Sequence, residues 1–196
     1  MGTEKLLRIK IMLLVFTILF SCKPVEILDE IVFDNSLLTK ITFNADKKLI
    51  NHYYKANYID PYIDHSLKQP PILRLNSWLD QNMNIFGSQN KLTINIFEAS
   101  LKRIEKEIEN KNKKKYMQKT EFFYEVHFII EFILQNDDDF VLATTKAETT
   151  RSTTSSKFIS LNKKEQLIDE LILDALIDIS NESKELLNKH MFEYIL

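Results

Sequence analysis

The chain has 196 residues, a formal net charge of −2 and a single cysteine, Cys22. This length is enough for one domain with a substantial core, and one cysteine excludes an internal disulfide. Gly2 and Gly87 are the only glycines, which argues against a glycine-rich phosphate-binding loop. The basic run of Lys111, Lys113, Lys114 and Lys115 has no interleaved aromatic residues, so we interpret it as a solvated hairpin loop and not as a nucleic-acid-binding surface.

The N-terminal segment has the pattern of an export signal. Lys5, Arg8 and Lys10 outnumber the single acid Glu4, and an uncharged apolar run follows at residues 11–20. A positive segment before a short apolar one is typical of a signal peptide. A helix over that run would rise only about 15 Å, about half the thickness of the hydrocarbon layer. We therefore predict a cleaved signal peptide over residues 1–21.

The tetrapeptide Leu19-Phe20-Ser21-Cys22 resembles the lipobox of bacterial lipoprotein precursors. The resemblance implies cleavage before Cys22, a diacylglycerol thioether on its sulfur and an N-acyl chain such as palmitate, a combination that anchors a protein durably. Lys23, which stands where an aspartate would retain a lipoprotein at the inner membrane, resembles an outer-membrane sorting signal. The alternatives are a cysteine that follows a generic secretory signal, or one that ends an uncleaved anchor.

Cleavage at that point would leave a tether at residues 22–30 and a single domain at residues 31–196. Three basic residues and one acidic residue lie within residues 1–21, so the net charge would change from −2 to −4. Pro24 discourages a helix directly after the lipid. We expect a mildly acidic domain on the periplasmic side of the cell envelope, with the outer membrane favoured over the inner membrane.

The first half of the domain combines strands, a loop and a helix. Residues 31–58 mix β-branched and aromatic residues with polar ones and predict one or two strands, and prolines keep residues 60–71 in a loop. Pro71 suits the first position of a helix. Apolar residues then recur at intervals of three and four, which predicts an amphipathic helix that ends near Gly87. These residues are Ile72, Leu75, Trp78, Leu79 and Met83.

A change to period two predicts the next strand. Leu92, Ile94 and Ile96 face one side and Thr93 and Asn95 face the other, and the strand continues to about Ile108 with a bulge around residues 98–100.

The strongest strand follows the lysine loop. The even-numbered residues from Tyr124 to Leu134 are all apolar and predict a core face. The acidic residues 137–139 predict a turn and not a calcium site, because the glycine and the alternating oxygen ligands of a binding loop are missing. Val141 to Thr149 then resume the alternation, so we predict a hairpin.

The C-terminus predicts a long helix. Asn162 and Glu165 have the spacing of a capping box, and Leu167 to Ile179 carry apolar residues at helical intervals. An unbroken helix from Lys163 to Glu193 would be about 45 Å long, longer than most sheets are wide. A break near Ser180 to Ser183 therefore stays open.

The order of these elements predicts an α+β fold. We expect a two-layer sandwich in which a mostly antiparallel sheet of about four strands carries two helices on one face, in the order β-α-β-β-β-α. This order resembles small envelope lipoproteins that act as accessory subunits of ABC-type and MCE-type transport systems, and the lipoprotein of lipopolysaccharide assembly. Residues 60–65, with Trp78 and the strand at 92–100, are also similar to uncharacterised lipoproteins from alphaproteobacteria. The resemblances imply a non-enzymatic accessory or scaffold role.

The sequence contains no nucleophile elbow, phosphate loop or dinucleotide-binding pattern. His52, His65, His127 and His190 have no metal-site spacing, so we predict no metal and no cofactor other than the lipid on Cys22. His127 with Glu125 and Glu131 would be the acid-base cluster of an alternative envelope hydrolase.

The predicted outer side of the strongest strand suggests a binding function. Aliphatic side chains among polar ones on an exposed surface often mark a partner-binding site. We predict an envelope protein as partner, a lipid as a further ligand and no nucleic acid. A lipoprotein that holds a lipid in an apolar cavity is the other alternative. The candidate binding residues are Glu125, His127, Ile129, Glu131 and Ile133.

Overall fold

The computed structural model of the protein describes residues 35–108 and 119–196. The signal peptide, the lipobox, the tether and the lysine run lie outside these ranges, so what we predict for them stays a prediction. The described part contains two α-helices and six strands. In chain order these are β1 (Ile41–Phe43), β2 (Lys47–His52), α1 (Pro71–Asn82), β3 (Met83–Ile85), β4 (Lys91–Glu107), β5 (Thr120–Gln135), β6 (Val141–Ser156) and α2 (Leu161–His190).

The main sheet has four strands in the order β2-β4-β5-β6. β4 pairs with β5 and β5 with β6 in antiparallel fashion, and the connection between β5 and β6 is of hairpin length. β2 pairs with β4 in parallel, because α1 and β3 lie between them in the chain and provide the crossover that a parallel pair needs. The predicted α+β fold, with a mostly antiparallel sheet and two helices, is confirmed.

A second, small sheet was not predicted as such. β1 pairs in parallel with β3, and the C-terminus adds to the other edge of β1. The amide of Asn44 donates to the carbonyl oxygen of Tyr194 at 2.8 Å, and the amide of Leu196 donates to that of Thr42 at 2.9 Å. β1 agrees with the strand prediction for residues 31–58. β3 occupies residues that the sequence pattern predicts to be the end of a helix.

The core lies between the main sheet and the two helices. The even-numbered residues of β5 from Tyr124 to Leu134 are fully buried, which confirms the predicted core face. Trp78 of α1 and Ile172 of α2 are fully buried in the same cluster, so both helices cover this one face. The rings of Phe43 and Phe132 stack with centroids 6.4 Å apart and join the small sheet to the main sheet.

The prediction that α1 ends near Gly87 is wrong. The helix begins at Pro71 as predicted and ends at Asn82, where the side-chain amide donates to the carbonyl oxygens of Asn35 and Leu38, each at 2.9 Å. Gly87 lies in the loop after β3, next to residues 44 and 45. A Cβ at Gly87 would lie only 2.5 Å from Oδ1 of Asn44 and 2.9 Å from the amide nitrogen of Ala45. The glycine permits this close approach and does not terminate the helix.

Helix α2 is continuous from Leu161 to His190, so there is no break near residues 180–183. Ser180 and Ser183 are buried, and their hydroxyl groups donate to the carbonyl oxygens of Ile177 and Ile179 at 2.9 and 2.6 Å. These bonds satisfy the polar groups inside the helix, so the serines need no interruption. The N-cap is Ser160, which accepts from the amide of Lys163, and not the predicted Asn162.

Two local irregularities agree with expectation. The pairing of β4 with β5 shifts between Ile96 and Glu98, which places the bulge just before the predicted segment. The acidic residues 137–139 form the turn between β5 and β6. The side chain of Asn136 accepts from the amides of Asp138 and Phe140 at 3.0 and 2.8 Å, and Asp139 adopts a φ of 62°.

Candidate interaction face

The outer face is the side of the main sheet that points away from α1 and α2. The pleat of β5 turns alternate side chains to this face, so all five predicted binding residues lie on it. Each is half-buried by its neighbours in the sheet. The structure thus brings the five residues into one line along β5, and β2, β4 and β6 supply the residues on either side. The five are Glu125, His127, Ile129, Glu131 and Ile133.

A polar ladder crosses the outer face at the level of Glu131. The side-chain amide of Asn51 on β2 donates to Oδ1 of Asn95 on β4 at 2.9 Å. Nδ2 of Asn95 in turn donates to Oε2 of Glu131 at 2.9 Å. Lys146 of β6 is the register partner of Glu131. These two hydrogen bonds hold side chains of three strands in place, and the carboxylate of Glu131 is bonded within the sheet.

His127 pairs with a different acid from the two that the sequence suggested. Its Nε2 lies 2.9 Å from Oε1 of Glu148 on β6, whereas Glu131 accepts from Asn95 and Glu125 lies 3.9 Å from Nζ of Lys102. The two predicted acids therefore each have a partner other than His127. Within the described residues, no group of three or more His, Cys, Asp or Glu side chains is arranged to hold a metal ion.

Apolar side chains flank the polar ladder on both sides. Ile133 lies in register with Thr93, which is in register with Leu49 of β2, and Leu49 is 45% exposed. On the other side of the ladder, the rings of Phe97 and Tyr53 stack with centroids 5.3 Å apart, and Nζ of Lys146 lies 5.9 Å from the Phe97 centroid. The outer face is therefore more apolar than predicted.

The sequence pattern did not identify Leu49, Tyr53 and Phe97 as members of this face. Phe97 follows Asn95 by two residues, so the alternation in β4 contained the signal. The position of β2 beside β4 was not predictable from local pattern, because residues 31–58 permitted several strand boundaries. Leu49 and Tyr53 could not be placed without that pairing.

The segment at residues 60–65 covers the part of the β4 edge that β2 does not reach. The amide of Ile63 donates to the carbonyl oxygen of Leu101, and that of Arg103 donates to the carbonyl oxygen of Pro61, at 2.9 and 2.8 Å. The hydroxyl of Tyr54 donates to Oδ2 of the fully buried Asp64 at 2.8 Å. Burial, together with this hydrogen bond, raises the pKa of Tyr54 well above its ordinary value. Residues 60–65 therefore serve to cover the edge of β4.

Comparisons with known proteins find similarity to solved structures alone. No family model matches the chain, and no curated protein matches it. Among solved structures, the chain is similar to a minor lipoprotein from Acinetobacter baumannii, with 11% identity, a TM-score of 0.39 and coverage of 74% of this chain and 92% of that one. It is also similar to the rare lipoprotein B from Shewanella oneidensis, with 14% identity, a TM-score of 0.33 and coverage of 71% and 95%. Similarities of this size establish neither a shared family nor a shared function.

In the described part of the chain, no helix has both the length and the apolar character needed to cross a membrane.

Proposed function

We propose that the protein is a lipid-anchored accessory or scaffold subunit of the bacterial cell envelope, which docks a partner protein through the outer face of its main sheet. The lipid would sit on Cys22, and the complex would serve lipid transport or envelope assembly. One observation carries the docking role. Both helices cover the opposite face, so apolar side chains on the outer face stay partly accessible, and they surround an ordered polar ladder.

The composition of the outer face suits a protein partner. Leu49, Phe97, Ile129 and Ile133 offer apolar area, and the hydrogen bonds of Asn95 and Glu131 hold the polar side chains in place. Binding to an ordered surface costs less side-chain entropy than binding to a mobile one. Aliphatic and aromatic side chains within a polar rim are typical of surfaces that bind other proteins.

The geometry favours a non-enzymatic role. A general base needs a substrate site beside it, and His127 instead shares the sheet surface with Glu148, while Glu125 and Glu131 have separate partners. The fully buried Trp78, Phe128 and Phe132 occupy the layer between helices and sheet, so the alternative of a lipid held in that layer gains no support. We propose no cofactor beyond the covalent lipid and no nucleic-acid partner.

Substitution of two outer-face residues tests the docking role. We expect the full-length I129S/I133S variant to lose a crosslinked envelope partner in the native host, measured by crosslinking and mass spectrometry, while it stays folded and still unfolds in one cooperative thermal transition. The matched control is L73S/L161S, which changes two aliphatic residues that are 57% and 66% exposed and lie on the helices. Recovery of the same partners with the outer-face variant would refute the docking role.

The anchor has its own test. We expect labelled palmitate to be incorporated into the native protein and not into Cys22→Ser. The variant should also be absent from the membrane fraction. Membrane association of Cys22→Ser equal to that of the native protein would refute the lipid anchor and would leave the docking role untouched.

A further inference from the structure

The main sheet ends in two edge strands of different length, the six-residue β2 and the sixteen-residue β6. The edge of β4 is covered by β2 over its first part and by residues 61–63 farther along. β6 forms the opposite end of the sheet, and none of the described residues pairs with its free edge. β6 is also long, from Val141 to Ser156, and contains no proline. Natural sheets rarely leave such an edge open, because it can pair with another chain.

The hydrogen-bond pattern identifies which residues face the free edge. The amide of Ile108 donates to the carbonyl oxygen of Lys119 at 2.9 Å, so odd-numbered residues of β5 bond to β4. Even-numbered residues of β5 then bond to β6, and the bond from the Asn136 amide to the Phe140 carbonyl oxygen agrees with this assignment. Their partners on β6 are odd-numbered. Beyond the register shift at the start of β6, the even-numbered residues from Thr144 to Thr154 therefore direct their amides and carbonyls to the free edge.

These edge-facing residues are accessible. All six from Thr144 to Thr154 are exposed, whereas the odd-numbered Thr145 and Ala147 between them are buried. The six are Thr144, Lys146, Glu148, Thr150, Ser152 and Thr154. The free edge thus offers a row of main-chain donors and acceptors to an incoming strand.

Helix α2 gives this edge a negative border. Residues 165–183 of the helix contain six acidic residues and neither lysine nor arginine. Asp178 faces β6, since Nε of Arg151 lies 2.5 Å from its Oδ2. Asp174 lies one turn before Asp178 and interacts electrostatically with the same arginine. Asp174 and Glu182 form no ion pair with any described residue, so negative charge remains beside the edge.

We propose that the free edge of β6 binds an extended polypeptide segment with basic side chains at alternate positions. Main-chain bonds to the edge would supply affinity, as in other cases of strand addition, and the acidic border of α2 would select basic side chains on the side that faces the helix. A second copy of this chain is disfavoured, because pairing of two β6 strands would bring two acidic α2 helices together. The proposal does not depend on the outer face.

Synthetic peptides test the charge preference. We expect the full-length protein to bind a peptide of about ten residues that alternates valine and lysine. It should bind a valine–glutamate peptide of the same length at least about tenfold more weakly. Added salt should weaken the binding of the lysine peptide. Hydrogen exchange should slow at the even-numbered amides of β6. Equal binding of the two peptides, or dimerisation through β6 without peptide, would overturn the proposal.

Proline substitutions test the edge itself. Thr150→Pro removes an amide that faces the free edge, so we expect a folded protein whose affinity for the lysine peptide falls by about tenfold. Thr149→Pro removes an amide that faces β5 and should instead lower the unfolding midpoint. D174N/E182Q leaves the backbone intact and should reduce both the affinity and its salt dependence. Unchanged peptide binding by Thr150→Pro, or equal destabilisation by the two proline variants, would contradict the assignment.

Discussion

The side-chain amine of Lys48 on β2 donates to the carbonyl oxygen of Met83 at 2.9 Å, directly after the end of helix α1. It also lies 3.1 and 3.0 Å from the carbonyl oxygens of Leu79 and Asp80. Carbonyls in the last turn of a helix have no amide partner within it. One lysine therefore satisfies two of these groups, those of Leu79 and Asp80, and also bonds the Met83 carbonyl just beyond the helix, so that it ties the helix end to the sheet. Burial lowers the pKa of Lys48, and the charge of Asp80 opposes that shift.

The first prediction concerns this contact. Lys48→Met should lower the free energy of unfolding by about 1–3 kcal/mol, because partly buried carbonyls lose their donor. Chemical denaturation measures the change. Lys47→Met is the matched control, since that side chain is 76% exposed and, among the described residues, forms an ion pair only with Asp46, at 3.9 Å. Equal effects of the two substitutions would show that the helix end does not depend on Lys48.

The second prediction concerns Gly87. Gly87→Ala should destabilise the protein by about 1–3 kcal/mol, because the new Cβ would overlap the main chain near Ala45 and force β1 and the loop apart. The exposed neighbour Ser88 provides the control as Ser88→Ala, for which we expect little change. The unfolding midpoints of the two variants can be compared directly. If Gly87→Ala is as stable as native protein, the close approach is unimportant.

The third prediction compares the two faces of β5. Ile130 is fully buried against the helices, so Ile130→Ala should cost about 2–5 kcal/mol of stability. Its neighbour Ile129 is half-buried on the outer face, and Ile129→Ala should cost about 1 kcal/mol or less. Denaturant unfolding of both variants is the measurement. A large cost at Ile129 would indicate that the outer face is part of a core and not a docking surface.

The fourth prediction concerns acid pH. Lys157 donates to the carboxylate of Glu105, and this bond, with one from Thr120, lowers the pKa of Glu105 below its ordinary value. Stability from the pair is present above the pKa of the unfolded state and is lost as the pH falls through the lower folded-state pKa. Lys157→Ala should raise the pKa of Glu105 toward its ordinary value.

A carboxyl NMR titration measures that change at Glu105 directly. Lys106→Ala removes a neighbouring positive charge whose amine lies over the ring of Phe123, and serves as the control. We expect the pKa of Glu105 to move much less in this control. Equal shifts in the two variants would mean that general charge, and not the Lys157 bond, lowers the pKa.

Local patterns predicted the parts of the fold that depend on local geometry. The alternation in β5 identified its buried face because successive side chains in a strand point to opposite sides. Pro71 marked the start of α1 because its ring suits the first turn of a helix. The turn at residues 137–139 followed from its polar sequence. In the candidate site, the line from Glu125 to Ile133 was predictable for the same reason as the buried face.

The sequence alone determined the lipobox prediction at Cys22, the order of the main elements and the two faces of β5, since these depend on neighbours along the chain. Only the tertiary structure decided that α1 ends at Asn82, because the groups that satisfy its last carbonyls come from distant Lys48. It also decided that His127 pairs with Glu148, and that the edge of β4 is closed while that of β6 is open. These features depend on which strands lie side by side, and pairing between distant segments leaves no local period in the sequence.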